Sequence, residues 1–211
     1  MFAPTIAPAA ELALERTFER AMGAAGRALA EMSGQEIHVV ATEVARTSSR
    51  HVIEAAGGAG TIVVGIYLGI TGSLTGHAVL IFSPEGAHRL AGILLEGFAE
   101  LSPVWDDQVA PTFNDLELSA LQEVGNVTVA AFLNEVGRHL DAPCSPTVPI
   151  AITDMAGAIL DAILADLTVE TDEVLAAKTS FINGGDTIEG AVLVLPQAES
   201  LQRLVHALGA D

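Results

Sequence analysis

The sequence predicts an α/β fold: a pseudo-two-fold, internally duplicated unit in which long helices pack on a largely antiparallel β-sheet. Three observations lead there. The segment from Leu12 to Gly34 lays over that from Ser119 to Asp141 as two amphipathic helices in the same phase. Each is followed by an extended stretch, then a hairpin and a further helix. The strand segments are rich in Val and Ile and often apolar on both faces, as strands covered by helices are.

The first helix carries Leu14, Phe18, Met22, Ala25, Leu29 and Met32 where the second carries Leu121, Gly125, Val129, Phe132, Val136 and His139, a 3–4 residue spacing that marks one buried stripe. EIHVVATEVA follows the first helix and PTVPIAIT the second, both extended in character and both leading into a variable connection. GTIVVGIYLGI, the turn TGSLTG and HAVLIFS then read as a hairpin, and PEGAHRLAGILLEG as a helix with Pro84 in its first turn. In the second copy EVLAAKTSFI, the turn NGGD and TIEGAVLVL form the hairpin, and PQAESLQRLVHALG the helix, with Pro196 as start and Gly209 as stop. The whole chain, 1–211, reads as one domain: a first repeat over about 12–97, a linker over about 98–113 and a second repeat over about 114–209. The linker LSPVWDDQVAPTFND has the prolines and acidic cluster of a surface connection, with Trp105 as its packing anchor.

Half of the residues are apolar and 17% are charged, which excludes the compositions that stay disordered. Against 27 acidic residues stand only 9 Lys and Arg, a formal charge of -18, which repels phosphate backbones and anionic membranes and argues against a nucleic-acid partner. Cys144 is the only cysteine, so no intrachain disulfide can form. The N-terminal segment lacks a basic region followed by an apolar run, and the longest apolar stretches fall short of the ~20 residues a spanning helix needs. These features together predict a cytoplasmic protein with no membrane insertion.

The second long helix has a start signal in Asn114 followed by Glu117, a capping-box arrangement. Beyond it, Ser119, Glu123 and Asn126 stand at i, i+4 and i+7 and so share one narrow sector, opposite the sector of Leu118, Leu121, Val129, Phe132 and Val136. Gly125 and Ala130 beside the trio suggest room for another molecule to approach. By spacing alone, an ordinary solvated helix face would look the same. The six histidines have no spacing that pairs them with Cys or acidic ligands, so no metal or other cofactor of the protein's own is expected. The turns ITGSLTG and INGGD lack the G-x-x-x-x-G-K-[ST] pattern and read as hairpin chemistry.

SALQEVGNVTVAAFLNE followed by Pro149 resembles the signature of the CheC/CheX/FliY chemotaxis phosphatases: an Asp or Ser, three residues, Glu, two residues, Asn, then about two dozen residues to a Pro. The doubled helix-and-hairpin plan extends the resemblance to most of the chain, which looks most like a stand-alone CheC. The resemblance implies a phosphatase acting on the aspartyl phosphate of a CheY-type response regulator, with Mg²⁺ supplied by that partner. Glu123 would pair with the regulator's active-site lysine and Asn126 would orient the attacking water, while Ser119 and Pro149 would contribute to binding. Some CheC proteins also bind the deamidase CheD, so CheD is implied as a second partner. Two-site members carry the signature on the first helix as well; here the equivalent positions are Leu12, Arg16, Glu19 and Thr42, and that site is expected to be inactive. Two other readings accompany the enzyme: a non-catalytic response-regulator-binding or scaffold module of the same fold, and a flagellar-switch component. The end of the chain at Asp211, directly after the last helix, is taken to weigh against the latter.

Overall fold

Alternation along the strands shows why this chain needs cover on both sides of its sheet. In the computed structural model, which describes residues 8–96, 112–166 and 173–209, strand β3 (Gly76–Phe82) is buried at every position. Ala78, Leu80 and Phe82 join one apolar cluster, whereas Val79 and Ile81 join another. A strand apolar on both faces is stable only between two layers of helices.

The elements run α1 (Pro8–Ser33), β1 (Ile37–Ser48), α2 (Ser49–Ala55), β2 (Ile62–Gly72), β3, α3 (Pro84–Leu94), α4 (Asp115–Leu140), β4 (Cys144–Pro146), β5 (Ile150–Met155), α5 (Ala156–Asp166), β6 (Glu173–Asn183), β7 (Asp186–Pro196) and α6 (Ala198–Leu208). One seven-stranded sheet has the order β1-β6-β7-β3-β2-β4, with β5 also on β2, and every pairing is antiparallel. The larger core lies between the sheet and α1, α3, α4 and α6, with Phe18 and Phe132 of the two long helices in ring contact at 4.6 Å. The smaller core, on the other face, is built by α2 and α5.

Exchange of strands produces the two-fold. β1 pairs with β6 and β5 with β2, so the first strand of each half completes the hairpin of the other. The central pair is β3 with β7, in a register that sets Val79 opposite Leu193. α1 and α4 begin at Pro8 and Asp115 and end at Ser33 and Leu140, a constant spacing of 107 positions. The same spacing carries Ile37–Ser48 onto Cys144–Met155 and Ser49 onto Ala156. Gly34 and Asp141, both in the left-handed region that ends a helix, are mates by this rule.

Three expectations need correction or completion. Each variable connection contains a helix, α2 and α5. Their periodicity is masked in sequence because one is short and the other is almost wholly apolar. Pro196 is the last residue of β7, opposite Gly76, and α6 has Gln197 as its N-cap. PTVPIAIT is two strands, interrupted over 147–149. Trp105 and most of the predicted linker lie outside the described residues.

Candidate functional site

α4 is held at both ends. The Asn114 side chain accepts from the Leu116 and Glu117 amides, each at 3.0 Å, and the Glu117 carboxylate accepts from the Asn114 amide at 2.8 Å, completing the capping box. Glu117 is fully buried and its other oxygen lies 3.4 Å from His88 Nδ1, which ties α4 to α3. Arg138 and His139 sit in the last turn, favourable to the helix dipole, and His139 Nε2 meets Thr17 Oγ1 of α1 at 3.1 Å.

Between these anchors Leu121, Val124, Val129, Phe132, Leu133 and Val136 are buried, and the helix cannot turn without exposing them. Leu118, expected in the packed face, is only half-buried. Ser119 is exposed, and Glu123 and Asn126 are half-exposed on the outward side. Glu123 and Asn126 are three residues apart, roughly 4.5 Å along the helix axis at the usual rise. Among the described residues no hydrogen bond or ion pair engages either side chain, so both polar groups are available to another molecule.

Gly125 does a different job from the one expected of it. A Cβ there would lie 2.4 Å from Ile66 Cγ2, so the glycine lets α4 press onto β2 and does not clear space for a ligand. The site is therefore set by how deeply the helix sits. Leu68 of β2, 3.5 Å from the same Cβ position, lies between Gly69, whose carbonyl accepts from the Thr147 amide at 2.9 Å, and Tyr67, which pairs with Ile150. Pro149 thus occupies the break between β4 and β5 at the height where α4 crosses β2. Its mate under the 107-residue spacing is Thr42, where β1 carries a bulge between Ala41 and Glu43. Both halves interrupt the edge strand at the same point.

Beside Pro149 stands Val148, 83% exposed, the most exposed large apolar residue described. Sequence reasoning passed over it, since a valine in PTVPI looks like any strand residue. On α1 the mates Leu12, Arg16 and Glu19 are exposed and offer neither a carboxylate at the first position of the pair nor an amide at the second. Among the described residues no group of three or more His, Cys, Asp or Glu is placed to hold a metal ion, and no helix is long and apolar enough to cross a membrane.

No protein-family model matches the chain. Over 192 residues it is 24% identical to the CheY-P phosphatase CheC of Bacillus subtilis, covering 90% of this chain and 88% of that protein. That likeness is to a member of the CheC/CheX/FliY family. A second relative, the putative CheY-P phosphatase CheC1 of Halobacterium salinarum, is 22% identical over 149 residues, 69% of each chain. In fold, the chain superposes on FliY of Thermotoga maritima with a TM-score of 0.73 at 15% identity, covering 97% of this chain and 98% of that one. Its likeness to the chemotaxis protein CheX of Desulfovibrio desulfuricans has a TM-score of 0.52 at 14% identity, over 87% and 99% of the two chains.

Proposed function

We propose that this protein accelerates hydrolysis of the aspartyl phosphate of a CheY-type response regulator, using Glu123 and Asn126 from α4. The observation that carries the reading is the pair itself, one turn apart, outward-facing and unengaged among the described residues, on a helix anchored at both ends. The names of the two relatives, both CheY-P phosphatases, supply the substrate class.

In the reaction a water oxygen bonds to phosphorus, the bond from phosphorus to the aspartyl oxygen breaks, and inorganic phosphate and the free carboxylate remain. Catalysis of this step is mostly alignment and charge stabilisation. The Asn126 side-chain carbonyl accepts from the attacking water and fixes its direction; its NH₂ can donate to the phosphoryl group. An amide does this without adding negative charge beside a phosphate, as a carboxylate would. Glu123 pairs with the regulator's lysine and sets the register of the two proteins, which makes it a docking group. Ser119, at the exposed end of the stripe, and Pro149, at the edge beneath it, border the contact. Magnesium held by the partner would supply neutralisation of phosphoryl charge in such a complex. CheD remains a proposed second partner.

The test is release of phosphate from an acyl-phosphorylated CheY-type receiver domain with and without the protein. Stimulated release supports the enzyme. Tight binding without stimulation replaces it with the non-catalytic module of the same fold.

A further inference from the structure

The two halves differ on the sheet face away from α4, and the difference leaves a groove. The 107-residue spacing makes α2 the mate of the first seven residues of α5. α5 then runs on to Asp166, burying Ile163 and packing Leu164 against the smaller core. In the first half the corresponding residues are Ala56 and Gly57, and α2 stops at Ala55. Gly57 and Gly58, at φ +98° and +105°, turn the chain away from the helical path.

What α5 closes over β2 and β3 therefore stays open over β6 and β7. There a groove of about 570 Å³ is floored by Ala45, Ala176 and Ala191, walled by Ala55 of α2 and its C-cap Ala56, and bounded on the β2 and β3 side by Val63 and Ile81. In the other half, by contrast, Gly65 of β2 lies under Ile159 of α5, 3.2 Å from where a Cβ would stand. The rim carries Glu43, Lys178 and Glu189. Lys178 Nζ is 2.8 Å from Glu43, so that charge is already paired. Glu189 accepts the Ser180 hydroxyl, at 2.9 Å to one oxygen, and pairs with no basic side chain among the described residues, so the rim has more carboxylates than ammonium groups on a chain of charge -18.

We propose that this groove is a docking site for an amphipathic helix of a partner protein, one that inserts two branched aliphatic side chains where α5 places Ile163 and Leu164 in the other half and sets Lys or Arg against Glu189. The last turn of α5 in the other half shows which side chains the open end of the groove fits, and the rim charge selects a basic partner. The site lies on the opposite sheet face from α4, so it does not depend on the phosphatase reading.

The probe is a fluorescein-labelled, lactam-stapled peptide of sequence 156–166 in which Asp161 and Asp166 are replaced by Lys, titrated with the full chain by fluorescence anisotropy. Saturable binding is expected, several-fold tighter than for the unreplaced acidic peptide at low salt, with the difference shrinking as ionic strength rises. Two variants fill the groove, Ala45→Phe from the floor and Ala56→Ile from the wall. Whichever retains the wild-type circular dichroism should bind at least tenfold more weakly, and Ala56→Ile should also raise the melting temperature, since it restores the side chain found at Ile163. Absence of saturable binding at millimolar peptide would overturn the proposal, as would equal affinity in the folded variants. Groove-dependent uptake of palmitate without peptide affinity would overturn it too, in favour of a lipid occupant.

Discussion

At the scale of single residues the proposed roles of Asn126 and Glu123 separate in kinetics. Asn126→Ala should lower stimulated dephosphorylation by roughly two orders of magnitude, the scale of a lost positioning group, while receiver binding stays near wild type. Glu123→Ala should weaken binding in a salt-sensitive way, because an ion pair is what it removes. Wild-type turnover in the Asn126→Ala protein would exclude the water-orienting role. Thr128, two residues further along α4, is a stability site of another kind. Its hydroxyl is buried with no hydrogen-bond partner among the described residues. Replacing it with an apolar group of the same shape removes an unsatisfied donor, so Thr128→Val should stabilise the fold by ~1–2 kcal/mol, read as a raised denaturation midpoint. The Glu–Asn pair was legible because spacing and residue type are properties of the chain. Gly125 was misread, and Val148 missed, because both depend on what lies across the fold.

The same helix shows how much depends on the way elements meet. In an ordinary helix interior, glycine to alanine gains ~1 kcal/mol. Gly23 of α1 is such a place, since the nearest atom to an added Cβ is the flexible Arg27 Nη1 at 3.7 Å. Gly125 is the opposite, with Ile66 Cγ2 at 2.4 Å. Overpacking there costs ~1–3 kcal/mol and outweighs the propensity gain. Gly23→Ala should therefore raise the melting temperature and Gly125→Ala lower it, with stimulated turnover falling as well because α4 must lift from β2. Shifts of opposite sign for the two glycines are the outcome to look for in thermal melts. A rise for both would show that α4 does not press onto the strand as closely as described.

For the whole molecule, strand exchange between the halves makes neither half complete. A fragment of residues 114–209 keeps β6 and β7 but loses β1 and β3, the neighbours of that hairpin, and β5 loses β2. It should show no cooperative unfolding transition by circular dichroism at concentrations where it is monomeric, since an isolated hairpin is marginal in water. A sharp transition would mean the halves are independent. Function is expected to be as lopsided as the fold is symmetric. Arg16→Ala and Glu19→Ala, on the exposed mate of the active face, should leave turnover within about twofold of wild type, as surface changes away from a site do. A large loss with folding intact would return the first helix to the mechanism.

The chain by itself determined the repeated plan, because apolar periodicity is local: the stripe through Leu14, Phe18 and Met22 and its counterpart through Leu121, Gly125 and Val129 follow from 3.6 residues per turn alone. It also determined which helix has the Glu–Asn pair, since covalent spacing sets the face on which side chains emerge. Only the tertiary structure decided how the halves join. Whether β1 completes its own hairpin or the other one turns on burial across the sheet, and neither choice leaves a mark on the strand's own composition. Only packing across that sheet decided that Gly125 seats α4 on Ile66, and that a helix ending at Ala55 rather than running on as α5 does leaves one face open.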